Sequence, residues 1–199
     1  MESDIQTLME NIESCYDLRN KSVIQVAAGG GQLVGYGAAA RSVLAVDADP
    51  EGVRRLGVLL REKGLLSRFI VFRGEFLTVR ARADVVFFEF ALHRMADPDA
   101  ALRHAKTLAP ETLVVDAALG SRWAWYLGEE TGVERTWEAV GRQRIARDDA
   151  FMGAEQCRDY SDLLGRVRPR GEPTLGRIEE FRDRQGIAIP MPYRVVVLR

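Results

Sequence analysis

The chain has 199 residues, with 28 basic side chains (Lys and Arg) against 29 acidic ones, so its formal net charge is −1. This balance gives no field that would attract nucleic acid or an anionic membrane, and we expect neither partner. Two cysteines and two histidines are too few for a disulfide framework or a structural zinc site, which favours a reducing, cytoplasmic setting without a metal. No apolar run approaches the ~20 residues that a membrane-spanning helix needs.

Hydrophobic periodicity predicts alternating helices and strands in the first part of the chain. Apolar residues at helical spacing predict a helix within residues 1–20. Short apolar runs predict buried strands at residues 22–28, 42–46, 68–72, 83–88 and 112–117. Helices are expected over residues 32–41, over residues 50–66 and from Pro98 to a stop at Pro110. Asp49-Pro50 and Asp97-Pro98 start the last two of these helices, with the aspartate as N-cap.

Strands that are apolar on both faces and alternate with helices indicate a parallel sheet covered by helices. This alternation ends after residue 119. Helices are expected near residues 122–130, 161–167 and 175–184, and residues 193–198 predict a final strand. We therefore expect a single domain over residues 1–199, with an N-terminal helix (1–20), a core (22–119), an irregular segment (120–192) and the final strand (193–198).

A glycine-rich turn follows the first predicted strand. Gly29, Gly30 and Gly31 would let the backbone pass close to a ligand and would expose amide donors at a helix start. Turns of this kind also occur in dinucleotide sites, and some bind nothing. Taken alone, the turn leaves its ligand open.

Two acidic residues stand where the next strands end. Asp47 ends the second strand, where a carboxylate can accept hydrogen bonds from both hydroxyls of a ribose. Its alternative role is to cap the following helix, for which Asp49 is better placed. Glu75 follows the third strand and could accept from an exocyclic amine, while the Phe76 ring stacks on the base. The alternative for this pair is an ordinary loop acid and a core phenylalanine.

Taken together, these elements resemble the class I S-adenosylmethionine-dependent methyltransferases over residues 23–119. Residues 25–31 (QVAAGGG) resemble the family's glycine motif, and residues 46–50 (VDADP) resemble its strand-two motif. Gly74-Glu75-Phe76 is similar to the pair whose acid reads the adenine amine. The strand-four phrase and its continuation are matched by residues 84–95 (DVVFFEFALHRM), Asp97-Pro98 and Leu108-Ala109-Pro110.

The resemblance implies an α/β fold that is Rossmann-like and doubly wound, with a mostly parallel seven-stranded sheet, an antiparallel last strand and helices on both faces. It implies S-adenosylmethionine as cofactor, bound by the core, and direct methyl transfer to a small-molecule acceptor that residues 120–192 cover. The implied cofactor-binding residues are Gln25, Ala27, Gly29, Gly31, Asp47, Ala48, Glu75, Phe76, Phe88 and Glu89. Gln25 replaces the acid that usually helps to hold the amino end of the cofactor, and Ala27 stands where glycine is common.

His93 follows the fourth strand at the edge of the expected cleft. An imidazole there could act as the base for an oxygen or nitrogen acceptor; the alternative is a histidine packed under the cofactor. Aromatic residues follow the fifth strand, and they predict either an acceptor pocket or ordinary core or an oligomer interface, which leaves a homodimer open. These aromatic residues are Trp123, Trp125, Tyr126 and Trp137.

Two other functions share parts of this pattern. An NAD(P)-dependent oxidoreductase also begins with strand, glycine turn, helix, strand and acid, but its motif would place a glycine at Val34. A non-catalytic adenosyl-binding or scaffold protein could keep the fold, and Gln25 leaves that alternative open. The methyltransferase hypothesis accounts for Glu75 and for the Leu-x-Pro sequence at 108–110, which the oxidoreductase does not explain.

Overall fold

The computed structural model describes residues 2–27 and 34–199. Its strands are β1 (Ser22–Val26), β2 (Ser42–Asp47), β3 (Phe69–Arg73), β4 (Val85–Glu89), β5 (Glu111–Ala117), β6 (Ile145–Phe151), β7 (Ala154–Asp159), β8 (Gln185–Pro190) and β9 (Tyr193–Leu198). Its α-helices are α1 (Glu2–Cys15), α2 (Pro50–Glu62), α3 (Pro98–Leu108), α4 (Arg122–Leu127), α5 (Glu130–Gly141), α6 (Tyr160–Val167) and α7 (Glu172–Leu175). Short 3₁₀ helices lie at Val34–Ala38, Phe76–Thr78, Leu92–Arg94, Arg168–Arg170 and Gly176–Phe181.

Seven of these strands form one sheet in the order β3-β2-β1-β4-β5-β9-β6. Strands β1 to β5 run parallel, and β9 is antiparallel to both β5 and β6. This topology confirms the predicted Rossmann-like fold and its antiparallel last strand. The chain leaves β1 toward β2 on one side and later returns to β4 on the other. In such sheets, ligands bind at the carboxyl ends of the strands where the order reverses.

Alternating side chains of the central strands enter two separate cores. Val85 and Phe87 of β4 face one core, which α1 and α2 cover, and Val86 and Phe88 face the other, which α3 and α5 cover. All four side chains are fully buried, because a central parallel strand has helices over both faces. No helix of the described chain is long and apolar enough to cross a membrane.

Two helices differ from the predicted ones, and both contain or precede a glycine with a special role. The helix expected over residues 32–41 is, in its described part, only the 3₁₀ helix Val34–Ala38. Gly37 in this segment lies so close to Phe69 that a Cβ would come within 2.2 Å of the ring. Helix α2 ends at Glu62, before the expected 66, because Gly64 adopts a left-handed conformation with a φ of 68°.

The segment predicted to be irregular contains regular structure. Helix α5 and strands β6, β7 and β8 all lie within it, and the helix expected over residues 175–184 is a 3₁₀ helix at Gly176–Phe181. Strands β7 and β8 pair as a separate two-stranded sheet. Together with α4 and α6 they enclose what we call the C-terminal cluster: Tyr126, Leu127, Cys157, Leu163, Val167, Ile178, Phe181, Ile187 and Ile189.

The close approach of α5 to the segment after β4 yields a testable expectation. Glycine inside a helix usually costs roughly 0.8–1.0 kcal/mol relative to alanine. At Gly132, however, a Cβ would lie 2.2 Å from the backbone oxygen of His93. We therefore expect Gly132→Ala to lower the free energy of unfolding, measured with urea, by about 1–3 kcal/mol.

The same helix offers a matched control at its last residue. A Cβ at Gly141 meets nothing within 4 Å, so Gly141→Ala should leave stability unchanged or raise it slightly. If Gly132→Ala proved as stable as this control, α5 would not lie against the His93 carbonyl as described.

Candidate active site

The carboxyl ends of β1, β2 and β4 meet at one edge of the sheet. Val26, near the end of β1, pairs with Val46 on one side and with Phe88 on the other. Ala27, Asp47 and Glu89, each one residue beyond these paired residues, therefore lie next to one another at this edge. The predicted residues Gly29 and Gly31 lie outside the described residues.

Gln25 and Glu89 form a contact beneath this edge. The Gln25 side chain is fully buried, and its Nε2 donates to Oε2 of Glu89 at 2.5 Å. Its Oε1 is buried and has no hydrogen-bond partner. Buried polar atoms are nearly always paired, so this acceptor near the carboxyl edge of the sheet is an exception, and a ligand with a hydrogen-bond donor would satisfy it.

Ala27 holds a backbone conformation that favours glycine. Its φ is 56°, and the left-handed region costs an L-residue roughly 1–2 kcal/mol. Ala27, which stands where the resembling family often has glycine, therefore adopts the left-handed conformation itself. Phe88, the other predicted residue on this side, is fully buried in the core.

Asp47 and Asp49 divide two tasks at the end of β2. Asp49 accepts from the backbone N–H groups of Glu51 and Gly52, at 3.0 and 2.9 Å, which confirms it as the predicted cap of α2. Asp47 is half-buried, and its Oδ1 accepts from the backbone N–H of Asp49 at 2.8 Å. Ala48 between them is exposed. Asp49, and not Asp47, therefore caps α2.

Glu75 and Phe76 follow β3 at the neighbouring strand end. The backbone N–H of Gly74 donates to the Asp47 carbonyl at 2.9 Å, which places this turn against the end of β2. Glu75 is exposed. The Phe76 ring is only 4% exposed and packs edge-on against Phe88. It presents no open face to a base, so the alternative of a core phenylalanine describes it, and the predicted stacking is not supported.

His93 lies in a buried network of charges. Its Nδ1 is 2.6 Å from Oδ1 of Asp116, and its Nε2 is 3.1 Å from Oε2 of Glu129. Its backbone N–H also donates to Asp116, at 3.1 Å. Arg94 and Arg170 contact the other oxygen of Glu129. His93 therefore connects the segment after β4 with the end of β5 and the start of α5.

These neighbours fix the charge of His93. Burial alone would lower its pKa, but the charge and hydrogen bond of Asp116, followed by those of Glu129, raise the pKa to about 9. Burial would raise the pKa of Glu129, yet the hydrogen bond from His93 holds it below its usual value. A pKa of about 9 favours the protonated imidazole near neutrality, in which both ring nitrogens donate to carboxylates. The Nε of Arg94 also lies 3.2 Å from His93 Nε2. Both ring nitrogens are thus in contact with other side chains, and the role of His93 as a catalytic base stays a prediction.

Asp116 and Glu129 were missed by the sequence reasoning. Asp116 carried a usable signal, because an acid within the apolar run of β5 is expected to be buried with a partner. Glu129 had none, because it is one acid among several in a charged segment. In the described ranges no group of histidine, cysteine and acidic side chains could hold a metal ion.

Known proteins are similar to this chain both in sequence and in fold. Residues 24–111 match the family described as "Methyltransferase domain". The YcgJ protein of Bacillus subtilis has a TM-score of 0.70 at 14% identity, covering 99% of this chain and 97% of that chain. The chain is therefore similar to the methyltransferase domain family over residues 24–111, and its fold is that of the class I S-adenosylmethionine-dependent methyltransferases. No curated protein sequence matches it.

Two further solved structures share the methyltransferase fold. A SAM-dependent methyltransferase from Aquifex aeolicus has a TM-score of 0.56 at 15% identity, covering 98% of this chain and 89% of that one. Magnesium protoporphyrin IX methyltransferase from Synechocystis PCC 6803, with bound SAH, has a TM-score of 0.60 at 12% identity and covers 98% and 82%. At such identities the likeness shows the fold alone.

The aromatic residues after β5 have different surroundings in the structure. Trp137 is buried, and its Nε1 donates to the Ala117 carbonyl at 2.6 Å, so it belongs to the core. Tyr126 is buried in the C-terminal cluster, and Trp123 and Trp125 are partly buried against it. For Trp137 and Tyr126 the structure therefore favours the core alternative over an acceptor pocket.

Two apolar side chains are exposed at the edge of the sheet where the parallel strands end. Leu119 follows β5 and is 59% exposed, and Met152 follows β6 and is 76% exposed. The backbone N–H of Ala118 donates to the Pro192 carbonyl, and that of Met191 donates to the Gly153 carbonyl, both at 2.8 Å. These bonds place Leu119 and Met152 on either side of the same short loop.

Proposed function

We propose that this chain is an enzyme that uses S-adenosylmethionine to methylate a small-molecule acceptor by direct displacement. When bound, the cofactor supplies a methyl group that its sulfonium sulfur already activates. The observation that carries the proposal is the convergence of Asp47 and Glu89 beside the end of β1, above the orphaned Oε1 of Gln25. Acceptor atoms in this arrangement fit an adenosyl group and a cationic ligand, both of which bring hydrogen-bond donors.

Each strand-ending residue has a defined part in this proposal. Asp47 accepts from the ribose hydroxyls, and the exposed Glu75 accepts from the adenine amine. Ala27 and Ala48, like Gly29 and Gly31 in the sequence, are small residues that suit a close approach of the ligand. His93, whose ring contacts two carboxylates, positions the segment after β4.

The acceptor is proposed to be a small molecule with an apolar body. The near-neutral charge of the chain gives no general attraction for nucleic acid. Leu119 and Met152 supply exposed apolar surface at the edge where the cofactor is proposed to bind. An apolar acceptor would cover these two side chains and exclude water from the reacting atoms.

Ligand-dependent thermal unfolding tests the proposed cofactor. We expect S-adenosylhomocysteine to raise the melting temperature, because a ligand that binds only the folded state stabilises it. NAD and NADP should leave the melting temperature unchanged. A shift with the nicotinamide cofactors alone would instead indicate an oxidoreductase, and no shift with any of them would indicate a scaffold protein.

A second measurement tests the proposed class of acceptor. The protein is incubated with cofactor labelled on its methyl group and with a metabolite pool, and the labelled products are separated by polarity. We expect the label in small, apolar molecules. Label only in added RNA or protein would contradict the proposed acceptor class while leaving the cofactor assignment intact.

A further inference from the structure

Exposed apolar side chains are concentrated around the edge strand β3. Among the described residues, five of the eight large apolar side chains that are exposed lie between residues 58 and 77. They are Val58, Leu66, Ile70, Phe72 and Leu77. Ile70 is 69% exposed and Phe72 is 40% exposed, although both lie in a strand of the main sheet. Apolar surface that is collected in one place indicates an interaction site, whereas single exposed residues do not.

Ile70 and Phe72 extend one core of the protein beyond its cover. Ile70 pairs with Leu44 of β2, and Phe72 pairs with Val46. Val46 belongs to the core that α3 and α5 cover, and Leu44 packs against that core. Side chains of paired residues lie on the same face of a sheet, so Ile70 and Phe72 continue this face into solvent. A further strand beside β3 would bring side chains against both of them.

The backbone groups of β3 alternate between β2 and the open side of the sheet. The N–H of Val43 donates to the Arg68 carbonyl at 2.8 Å, and the N–H of Gly74 donates to the Asp47 carbonyl at 2.9 Å. Successive residues of a strand direct their N–H and C=O groups to opposite sides. The even-numbered residues from 68 to 74 therefore bond toward β2, and the odd-numbered ones point away from it. Because β3 is the terminal strand, no strand of the described chain pairs with it on that side.

The two edges of the sheet differ in how they are protected. Strand β6, at the opposite edge, has Arg147, Asp148 and Asp149 in its centre and an irregular register beside Ile145. Central charges and bulges are features by which proteins keep an edge strand from pairing with another chain. Strand β3 (FIVFR) has no proline and no charge before its last residue, and its register with β2 is continuous. It therefore remains in a form that can accept another strand.

Strand β3 is complementary to a second copy of itself. In an antiparallel pair with a two-fold axis at Val71, the two Val71 residues lie opposite each other, and Phe69 lies opposite the partner's Arg73. These odd-numbered residues carry the outward backbone groups, so each pair can exchange two hydrogen bonds. Ile70 then lies opposite the partner's Phe72, in a non-hydrogen-bonded pair whose Cα atoms are about 4.5 Å apart. Aromatic and β-branched side chains form favourable cross-strand pairs in this position.

The charges of the strand do not oppose this arrangement. Arg73 is the only charged residue of β3. In the antiparallel pair, the two copies of Arg73 are separated by four residues along the strands, which is about 14 Å at ~3.4 Å per residue. This separation exceeds the Debye length of roughly 8 Å at physiological ionic strength, so the repulsion between them is screened.

We propose that the open edge of β3 binds a second copy of this chain, with the two β3 strands antiparallel about Val71, and that the homodimer has one continuous sheet. This goes beyond the proposed function and does not depend on it. A second copy is favoured over an unrelated peptide because one five-residue strand supplies both sets of complementary groups. Its outward backbone groups pair with themselves, and its Ile70 and Phe72 cover each other across the two-fold axis.

Replacement of one exposed isoleucine tests the interface. We expect the unmodified protein to sediment as a dimer at micromolar concentrations. Ile70→Lys would place an ammonium group against the partner's Phe72 twice in each dimer, so it should weaken the association by roughly 100-fold. Because Ile70 is 69% exposed, the circular dichroism spectrum of the variant should match that of the parent. Ile145→Lys is the matched control, since it makes the same change at an exposed position of β6, and it should remain a dimer.

Paired cysteines test the register of the two strands. In the double variant Ile70→Cys with Phe72→Cys, the facing Cα atoms would be about 4.5 Å apart, within the range of roughly 4.4–6.8 Å that a disulfide spans. Oxidised glutathione, which is reduced as the two thiols join, should then give a covalent dimer. Either single variant should give much less of it, because two copies of one position lie diagonally, about 7–8 Å apart. Cys15 and Cys157 are buried, so they do not compete.

Each result either supports or overturns the pairing. A dimer that is lost in Ile70→Lys, kept in Ile145→Lys and cross-linked by the paired cysteines supports it. A monomer at every concentration would overturn the assignment of a second copy, and a dimer that Ile70→Lys leaves intact would place the interface elsewhere. Cross-linking by the single variants as efficient as that by the double variant would overturn the register about Val71.

Discussion

Replacement of His93 by glutamine is expected to lower the free energy of unfolding at pH 7 by about 3–5 kcal/mol, the loss typical of breaking a buried ion pair. The side chain of Asp116 is fully buried, and His93 is its cationic partner. Glutamine keeps hydrogen-bonding capacity but removes the charge, so the carboxylate would remain buried without its counter-ion. Urea denaturation followed by circular dichroism measures the change.

The same network predicts how stability depends on pH. The pKa of His93 is raised from 6.5 to about 9 in the folded protein. Its stabilising contribution is therefore fully present below about pH 6.5 and is lost as pH rises through about 9. A shift of this size corresponds to about 3 kcal/mol. We expect the parent protein to lose more stability between pH 6 and pH 10 than His93→Gln does, by roughly that amount.

His104 provides the matched control, because it is the other histidine of the chain. Its Nε2 contacts the Val79 carbonyl at 3.1 Å, and within residues 2–27 and 34–199 no carboxylate is hydrogen-bonded to its ring. His104→Gln should keep the pH dependence of the parent. If the parent and His93→Gln had parallel pH profiles, an imidazolium between Asp116 and Glu129 would be ruled out.

The strands of the sheet were predictable because their signals are local. Central parallel strands such as β1 and β4 are continuous apolar runs, and the starts of α2 and α3 carry Asp-Pro pairs that cap them. Each signal lies within a few residues of the element that it predicts. The strand ends then placed Asp47 and Glu89 at one edge, since parallel strands share their carboxyl side.

Strand β6 was not predictable in this way. Its sequence, IARDDAF, has three charged residues in its centre and is mostly exposed, because it is an edge strand that pairs only with β9. Its pairing partner lies about fifty residues further along the chain, with Arg147 opposite Val197. Only the folded sheet makes this segment a strand, so hydrophobic alternation cannot reveal it.

The role of His93 was also hidden in the sequence. Its partners Asp116 and Glu129 are 23 and 36 residues away. Before these contacts are known, a histidine after the fourth strand has an ordinary pKa near neutrality, which suits a base. Tertiary packing raised that pKa and used both ring nitrogens. The sequence therefore predicted a base without showing the two carboxylates that contact its ring.

Replacement of Asp47 by alanine is expected to weaken the binding of S-adenosylhomocysteine by about 100-fold. A carboxylate that accepts from both ribose hydroxyls makes two charge-assisted hydrogen bonds, and their loss leaves these hydroxyls unpartnered in the complex. Asp47 is suited to this because it ends β2 beside the turn after β1, while Asp49 caps the helix. Isothermal calorimetry well below the melting temperature measures the affinity.

Asp49→Ala is the matched control, since it makes the same chemical change two residues away. It removes the side-chain acceptor for the N–H groups of Glu51 and Gly52, so it should lower the free energy of unfolding by about 1 kcal/mol. Its affinity for S-adenosylhomocysteine should remain within about 2-fold of the parent, because exposed Asp49 is engaged with the helix start. Asp47→Asn, which keeps the shape and one acceptor oxygen, should fall between the parent and Asp47→Ala. If Asp47→Ala bound as tightly as Asp49→Ala, the carboxylate at the end of β2 would have no part in holding the ribose, and the cofactor would have to lie elsewhere on this edge of the sheet.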